Sequence, residues 1–359
     1  MNKARLLQTF LDLVRIPSPS GKEEPVAAYA AARLEKLGIA SECDAIGNLV
    51  ARMPGVGESL LLTAHMDTVE PAARITPVVE DGIISTDGTS VLGGDDKSGV
   101  AAILEMAEVL ASEKSPHRPL EIVFTVQEEV GLHGAKALDI SRLQARMAVG
   151  LDAGGEPGTI VVQAPSQDSF RAVVHGRESH AGTSPEKGIN AIVIASKAIL
   201  AMPLGRIDAE TTANVGIIEG GTATNVVPNL VHISGEARSL NSAKLEALSA
   251  TMRLAFEHAA ADSGGEMEVT VQREYNAYQL SASEPVVALV SQAMQDLGYT
   301  PMLVSTGGGS DANVLNHRGV SMVQISTGMQ NVHTLQERIA LADIASAVQA
   351  LLRCARMDA

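Results

Sequence analysis

Val123-Phe124-Thr125-Val126-Gln127-Glu128-Glu129-Val130-Gly131 is an apolar, β-branched run that ends in two adjacent carboxylates and a glycine. It predicts a buried strand that carries Glu128 and Glu129 to its carboxyl end. Neighbouring residues of an extended chain point in different directions, so one carboxylate can face a metal while the other faces a substrate. Taken alone, a Glu-Glu pair is more often the polar end of a strand in solvent. The other strand ends of the chain decide between these interpretations.

The 359 residues are 45% hydrophobic and carry a net charge of -15. This length and apolar content predict a large core and about two domains. The negative charge argues against nucleic acid and anionic membrane surfaces as partners, because phosphate groups would be repelled. Cys43 and Cys354 stand in no metal-binding or redox spacing, so we expect a cytoplasmic protein. The first residues do not resemble a signal peptide, and no apolar run has the length of a membrane span.

Two further apolar runs also end in polar residues. Leu60 to Asp67 predicts a central strand that ends in His65-Met66-Asp67, and Met147 to Asp152 predicts another that ends in an acid. Gly93-Gly94-Asp95-Asp96 leads into apolar positions at helical spacing, where a capping role explains only one of the two aspartates. The side chain of the other aspartate could bridge two cations. This alternation predicts an α/β sheet with its site at the carboxyl edge.

The pattern changes between Pro165 and Gln279. There we predict a smaller two-layer α+β domain with strands and helices as follows: strands at 169–175, 213–218, 230–237 and 267–272, and helices at 188–200 and 244–261. This domain, residues 166–278, would be inserted into a larger one formed by residues 1–165 and 279–359. The larger domain would hold the metal centre and end in a helix over 338–354.

Five candidate metal ligands lie at strand ends or loop starts of this pattern: His65, Asp95, Glu129, Asp152 and His333. Two imidazoles and three carboxylates suit zinc, with cobalt or manganese as substitutes. A water that bridges two such cations loses a proton near neutral pH and can attack a carbonyl group. Glu128, beside Glu129, would accept that proton and pass it to the leaving amine.

Segments along nearly the whole chain resemble a known family in sequence and order: Ala64-His65-Met66-Asp67-Thr68-Val69, Gly94-Asp95-Asp96-Lys97-Ser98-Gly99, Glu128-Glu129-Val130-Gly131, Leu151-Asp152-Ala153-Gly154-Gly155 and Asn331-Val332-His333. They look like the co-catalytic zinc peptidases and deacylases, which include peptidase T, aminoacylase and succinyl-diaminopimelate desuccinylase. Ser179-His180-Ala181-Gly182 and Gly220 to Pro228 are similar to the two signatures of that family's dimerisation domain. The peptidase T branch is the one that the chain resembles most.

The resemblance implies two Zn²⁺ per subunit and a homodimer formed through a ferredoxin-like dimerisation or lid domain. Asp95 would bridge the two metals. His65 and Asp152 would complete one site, and Glu129 and His333 would complete the other.

The resemblance also implies roles for residues that hold no metal. Asp67 would orient His65, Glu128 would be the general base and acid, and His180, often supplied by the partner subunit, would help stabilise the oxyanion. The implied substrate-binding residues are Asn225, Arg238, Gly308 and Gly309. A loop histidine, a turn asparagine and a solvated arginine are the alternatives for His180, Asn225 and Arg238.

A metal-dependent aminopeptidase that removes N-terminal residues from short peptides, like a tripeptidase, is therefore the implied activity. Ser305-Thr306-Gly307 departs from the peptidase T branch, which usually has an arginine there, so the preferred peptide length stays open. An N-acyl amino acid amidohydrolase or a dipeptidase of the same family is the first alternative. The second is a non-enzymatic metal or peptide binder, which would have no need of Glu128.

Overall fold

The computed structural model describes residues 1–357. Within that range the helices are, in chain order, α1 (Lys3–Val14), α2 (Glu24–Glu35), α3 (Gly94–Glu113), α4 (His133–Ala137), α5 (Ala191–Ala201), α6 (Ser242–Ala261), α7 (Pro285–Asp296), α8 (Asp311–His317) and α9 (Leu341–Ala355). The strands are β1 (Ser41–Cys43), β2 (Leu49–Met53), β3 (Leu60–His65), β4 (Pro77–Glu80), β5 (Ile83–Thr86), β6 (Leu120–Thr125), β7 (Met147–Gly154), β8 (Thr159–Ala164), β9 (Ser166–His175), β10 (Gly205–Arg206), β11 (Thr211–Gly220), β12 (Leu230–Ser239), β13 (Glu266–Tyr275), β14 (Tyr278–Gln279), β15 (Met302–Ser305), β16 (Ser321–Met329) and β17 (Ile339–Ala340).

The described chain divides into two compact units. The first unit takes residues 1–162, 279–305 and those from 310 onward, and the second takes 163–278 with 306–309. The predicted insertion at 166–278 overlaps the second unit. The sequence pattern instead places the short segment 306–309 in the larger domain.

The first unit is built on a large mixed sheet. Among the described residues its strand order is β1-β2-β6-β3-β7-β16-β8-β14, with β15 paired to β8. The centre is parallel, because β3 pairs with β6 and β7, and β7 pairs with β16. β2 and β8 join this centre in antiparallel register. The carboxyl ends of β3, β6, β7 and β16 therefore meet at one edge of the sheet.

The central strands are buried because helices cover the sheet. Every residue of β3 and of β6 is buried, as continuous apolar runs require when a sheet is covered on both faces. One core cluster joins strand residues such as Leu62 and Phe124 to Ile103 of α3 and Val348 of α9. This packing fixes the strand ends from which the site residues project.

Two predicted helices begin later than expected, each for a local reason. The helix predicted from 338 begins at Leu341, because Ile339 and Ala340 pair as β17 with β5 in a small sheet of order β17-β5-β4. The helix predicted from 188 begins at Ala191, because the Asn190 side chain accepts the Val193 N–H and caps it.

The second unit is an antiparallel sheet with two helices. Its strand order in the described chain is β10-β11-β12-β9-β13, so that the two-residue β10 adds to the predicted strands. The core lies between the sheet and the helices, where Phe170 of β9 and Phe256 of α6 place their ring centroids 5.9 Å apart.

No helix among residues 1–357 combines the length and the apolar character needed to cross a membrane.

Candidate functional site

The predicted metal ligands all lie at the carboxyl edge of the large sheet. His65 is the last residue of β3, and Asp152 lies near the end of β7. Asp95 is the second residue of α3. Glu129 and His333 lie in the loops that follow β6 and β16. The strand order thus brings together side chains that are far apart in sequence.

Asp95 lies between two histidines. Its Oδ1 atom is 3.1 Å from His65 Nε2, and its Oδ2 atom is 3.2 Å from His333 Nε2. His333 Nε2 also lies 2.8 Å from Glu129 Oε1. Each oxygen of the Asp95 carboxylate therefore faces a different imidazole.

The ligand atoms form overlapping trios. In the part of the chain that the structure describes, His65, Asp95 and Asp152 form one trio, and Asp95, Glu129 and His333 form a second. Within each trio the ligand atoms lie within 4.8 Å of one another. The two trios share Asp95, which is the composition expected of two metal sites joined by one bridging carboxylate.

The charge balance of this cluster favours added cations. Burial and the nearby Asp95 carboxylate raise the pKa of Asp152 well above its ordinary value. Hydrogen bonds to Asp95 and Glu129 raise the pKa of His333 to about 10. Burial opposes the charged form of His65, yet its contacts with Asp67 and Asp95 outweigh this and raise its pKa well above the ordinary value. The cluster holds protons where cations could replace them, so its residues fit a pair of divalent metals.

Asp67 contacts both His65 and the backbone of the two glutamates, whereas the sequence predicted only the contact with His65. His65 Nδ1 lies 3.0 Å from the Asp67 backbone oxygen and 3.4 Å from its carboxylate Oδ1, so the shorter contact is to the carbonyl group. The carboxylate instead accepts the backbone N–H of Glu128 at 3.0 Å and of Glu129 at 3.1 Å. The Ser20 hydroxyl donates to it as well, at 2.7 Å. Burial alone would raise the pKa of Asp67, but the neighbouring His65, together with the hydrogen bonds from Ser20 and the Glu128 N–H, holds this pKa below the ordinary value.

Glu128 lies beside the ligand trios in a buried position. It is 8% exposed and forms a further trio with His65 and Glu129, again within 4.8 Å. Burial raises the pKa of Glu128 well above its ordinary value, and the Asp311 and Glu129 carboxylates add to the rise. A carboxyl group with a raised pKa can both accept and donate a proton near neutral pH.

Three buried polar residues support the site, and two of them, Glu337 and Gln324, were not predicted from the sequence. Glu337 accepts the backbone N–H groups of Leu92 and Gly93 at 2.8 Å each and that of Asp95 at 3.1 Å. Gln324 accepts the Asp152 N–H at 3.2 Å. Asp311 accepts the Thr125 hydroxyl at 2.6 Å. All three side chains accept hydrogen bonds from residues that are distant in sequence, so no local sequence pattern identifies them.

The second unit carries the other predicted site residues, His180 and Asn225 among them. His180 and Val226 form a β-bridge, and the Ala181 N–H donates to the Asn225 carbonyl at 2.9 Å, so the two signature segments are neighbours. His180 Nδ1 accepts the N–H groups of Gly182 and Thr183, each at 3.1 Å. An accepting Nδ1 assigns the proton of the neutral ring to Nε2, which makes Nε2 a hydrogen-bond donor.

Arg238 and the glycine loop also lie in the second unit. Arg238 pairs with Glu236 through Nε at 2.9 Å and Nη2 at 3.0 Å, and its Nη1 lies 3.4 Å from the Gly307 carbonyl oxygen. A Cβ atom on Gly309 would lie 2.1 Å from Tyr275 Cζ, whereas one on Gly308 would meet nothing closer than 3.8 Å. Gly309 is therefore required by close packing, and Gly308 is not.

Comparison with known proteins identifies the class. Residues 61–357 match peptidase family M20/M25/M40, and the chain belongs to this family. The protein YqjE of Bacillus subtilis is 44% identical over 354 residues, which cover 96% of this chain and 95% of that protein. Peptidase T of Vibrio cholerae is 30% identical over 283 residues, 77% of this chain and 68% of that protein.

Solved structures agree in fold. A tripeptidase from Staphylococcus aureus superposes with a TM-score of 0.93 at 38% identity, and the aminopeptidase PepT from Bacillus cereus with 0.88 at 40% identity. Each comparison covers 99% of this chain and 98% of the other. The predicted resemblance to the peptidase T branch is confirmed. So is the predicted fold class, a mixed central sheet flanked by helices with an inserted α+β domain.

Proposed function

We propose that this protein is a metal-dependent aminopeptidase that removes N-terminal residues from short peptides at a dinuclear zinc centre. The observation that carries the proposal is the pair of ligand trios that share Asp95, with the buried Glu128 beside them. The relatives named as a tripeptidase and an aminopeptidase support the choice of short peptides with a free N-terminus.

The metal roles follow the two trios. His65 and Asp152 would hold one cation, Glu129 and His333 the other, and Asp95 both. Two divalent cations held there would supply Lewis acidity, the chemistry that activates water and polarises a carbonyl group.

Glu128 would move the proton. Its carboxylate would accept a proton from the attacking water and return it to the amine that leaves. Burial raises the pKa of Glu128 above its ordinary value, which favours the protonated carboxyl group that the second step needs. Asp67 would keep Glu128 in place through the backbone N–H group that it accepts.

Residues of the second unit would contribute to substrate binding and to transition-state stabilisation. His180 Nε2–H is a donor suited to the developing oxyanion, either in its own subunit or in a partner. Asn225, Arg238 and Gly308 would contact the peptide backbone or its carboxyl end, and Gly309 would shape the loop. A homodimer through this unit, in the cytoplasm, completes the proposal.

The test uses matched di-, tri- and tetrapeptides, each with a free and an N-acetylated amino group. The protein is first treated with a chelator and then supplied with zinc or cobalt. Cleavage of the free peptides alone, restored by metal, is the expected outcome and ranks the preferred lengths. Cleavage of the acetylated set would instead assign the protein to the N-acyl amino acid amidohydrolases of the family. Failure to cleave any of them would contradict the proposed activity.

A further inference from the structure

The segment Ile16–Glu23 connects α1 to α2 and contains none of the proposed ligands or catalytic residues. It nevertheless contacts each of three chain segments that carry them: the end of β3, the start of α3 and the turn after β6. Pro17, Pro19 and Gly21 keep it out of helical structure.

The first contact holds the chain on both sides of Asp67. The Ser18 hydroxyl donates to the Met66 carbonyl oxygen at 2.8 Å, and the Thr68 N–H donates to the Ser18 carbonyl oxygen at 2.9 Å. Ser18 is fully buried. These two bonds fix the backbone that presents the Asp67 carboxylate.

The second contact is made to that carboxylate itself. The Ser20 hydroxyl donates to Asp67 Oδ2 at 2.7 Å, and the same oxygen accepts the Glu129 N–H at 3.1 Å. Asp67 Oδ1 accepts the Glu128 N–H at 3.0 Å. Ser20 is thus linked through one side chain to the backbone of both glutamates.

The third contact reaches the residue before them. Glu23 Oε1 accepts the Gln127 N–H at 2.9 Å and the Gly21 N–H at 2.8 Å, and Glu23 is only 4% exposed. Gln127 has a φ of +53°, the left-handed region that a residue with a side chain adopts only where its surroundings require it. This conformation turns the chain out of β6 and towards Glu128.

The fourth contact is made to the start of α3, where the buried Lys97 ammonium group donates to the Ile16 carbonyl oxygen at 2.8 Å.

The contacts around the turn after β6 involve three successive backbone N–H groups. Those of residues 127, 128 and 129 each donate to a buried carboxylate, which is either Glu23 of the Ile16–Glu23 segment or Asp67, which that segment holds. Backbone N–H groups without such acceptors would be costly to bury, so the turn depends on them.

We propose that Ser20 and Glu23 are positioning residues that set the catalytic turn at residues 127–129. They touch no substrate and act through Asp67 and through the Gln127 N–H. The inference rests on the proposed function, because it assigns the turn its catalytic importance through Glu128.

The experiment compares Ser20→Ala and Glu23→Ala with the conservative variants Ser20→Thr and Glu23→Gln, which keep a hydroxyl and an acceptor. Lys22→Ala is the matched control, because Lys22 lies in the same segment and is exposed. Steady-state kinetics on a free peptide, metal content and thermal unfolding are measured for each. In parallel, hydrogen exchange is followed for the amides of residues 126–130.

We expect Ser20→Ala and Glu23→Ala to lower kcat about 10- to 100-fold with KM within about twofold, because a displaced general base affects the chemical step more than binding. Exchange at residues 126–130 should become faster, while that of the α1 amides stays unchanged. Ser20→Thr and Glu23→Gln should recover most of the activity, and Lys22→Ala should match the wild type.

Two results would overturn the inference. One is unchanged kcat and unchanged exchange at residues 126–130 in both alanine variants. The other is a loss of activity that merely follows a loss of metal or of thermal stability, since that is what a purely structural role predicts. If the wild type cleaves no peptide at all, the proposed function fails, and the exchange measurement still decides whether the segment sets the turn.

Discussion

Asp95 Oδ1 lies 3.1 Å from His65 Nε2, while the other oxygen of the same carboxylate faces a second imidazole. Because Asp95 would be a ligand of both metals, its loss should weaken the binding of both. Asp152 would be a ligand of one metal, and its loss should weaken the binding of that metal alone. We therefore predict that Asp95→Asn reduces the bound metal from two ions per subunit towards none, and that Asp152→Asn leaves one. Metal analysis after dialysis against a metal-buffered solution measures this.

The exposed Glu80→Gln serves as the control for these variants and should keep the full metal content. Equal metal loss in Asp95→Asn and Asp152→Asn would contradict a bridging role for Asp95. The sites would then have to be assigned to separate ligand sets.

Glu128→Gln should remove the proton transfer and keep the size and burial of the side chain. General acid–base catalysis contributes about 10² to 10⁴ in rate, so we expect a loss of that order in kcat. Metal content should stay at the wild-type value, because Glu128 is not one of the proposed ligands. Rates on a free tripeptide and metal analysis on the same samples provide the measurement. Full activity in Glu128→Gln would exclude the proposed mechanism.

His180→Ala should lower kcat about 10² to 10³-fold, the usual effect of losing one oxyanion donor. The neutral His180 ring would carry its proton on Nε2, because Nδ1 accepts the Gly182 and Thr183 N–H groups. His232→Ala, an exposed histidine of β12, is the matched control. Mixing His180→Ala subunits with Glu128→Gln subunits then tests action across a dimer. Activity that reappears in the mixture would place His180 in the partner's site, and activity that stays absent would place it in its own.

Gly309→Ala should destabilise the second unit, because the added Cβ would overlap the Tyr275 ring. Overpacking of this kind costs about 1–3 kcal/mol. Gly308→Ala has room for its Cβ and should change the free energy of unfolding by less than about 0.5 kcal/mol. Urea denaturation of both variants measures the difference. A loss of peptide binding in a stable Gly308→Ala protein would separately support its proposed contact with substrate.

Asp311 provides a prediction about pH. Burial, with Asp67 nearby, raises its pKa from 3.8 to about 6. The folded state then binds more protons than the unfolded state between these two values, so the stability contributed by the neutral group falls as pH rises through 6. In metal-free protein, Asp311→Asn should gain stability over the wild type as pH rises from 4 to 7, by about 3 kcal/mol at most.

Urea denaturation at several pH values checks this prediction about Asp311. The exposed Asp296→Asn is the control and should follow the wild type at every pH. A gap between Asp311→Asn and the wild type that is constant with pH would mean that Asp311 does not titrate as stated.

The positions of site residues could be predicted from the sequence where polar residues follow an apolar run. β3 and β6 are buried throughout and β7 is buried over most of its length, so the polar residues at or just after their ends, such as His65 and Glu128, could be placed at the edge of the sheet. Their mutual placement then followed from a parallel sheet. The position of His333 after an apolar strand made it a candidate ligand, but its left-handed backbone conformation, with a φ of +63°, is not revealed by any periodicity.

Contacts between a side chain and a distant backbone group could not be predicted. Glu337 holds the Asp95 N–H and Gln324 holds the Asp152 N–H, yet each looks like an ordinary polar residue in its own segment. Short strands were missed for a related reason. β17 has two residues, and pairing with β5 rather than local preference makes it a strand.

The parallel pairing of β7 with β16 sets an order of events during synthesis. β16 follows β7 in the chain only after the whole of β9 to β13 has been made, and it supplies the Gln324 oxygen that holds Asp152. His333 comes later still. A growing chain on the ribosome therefore possesses Glu128 long before it possesses the second ligand trio, and the sheet cannot close around the site until translation has passed β16. The growing chain would therefore become able to hydrolyse peptides only late in synthesis, after the inserted unit has been made.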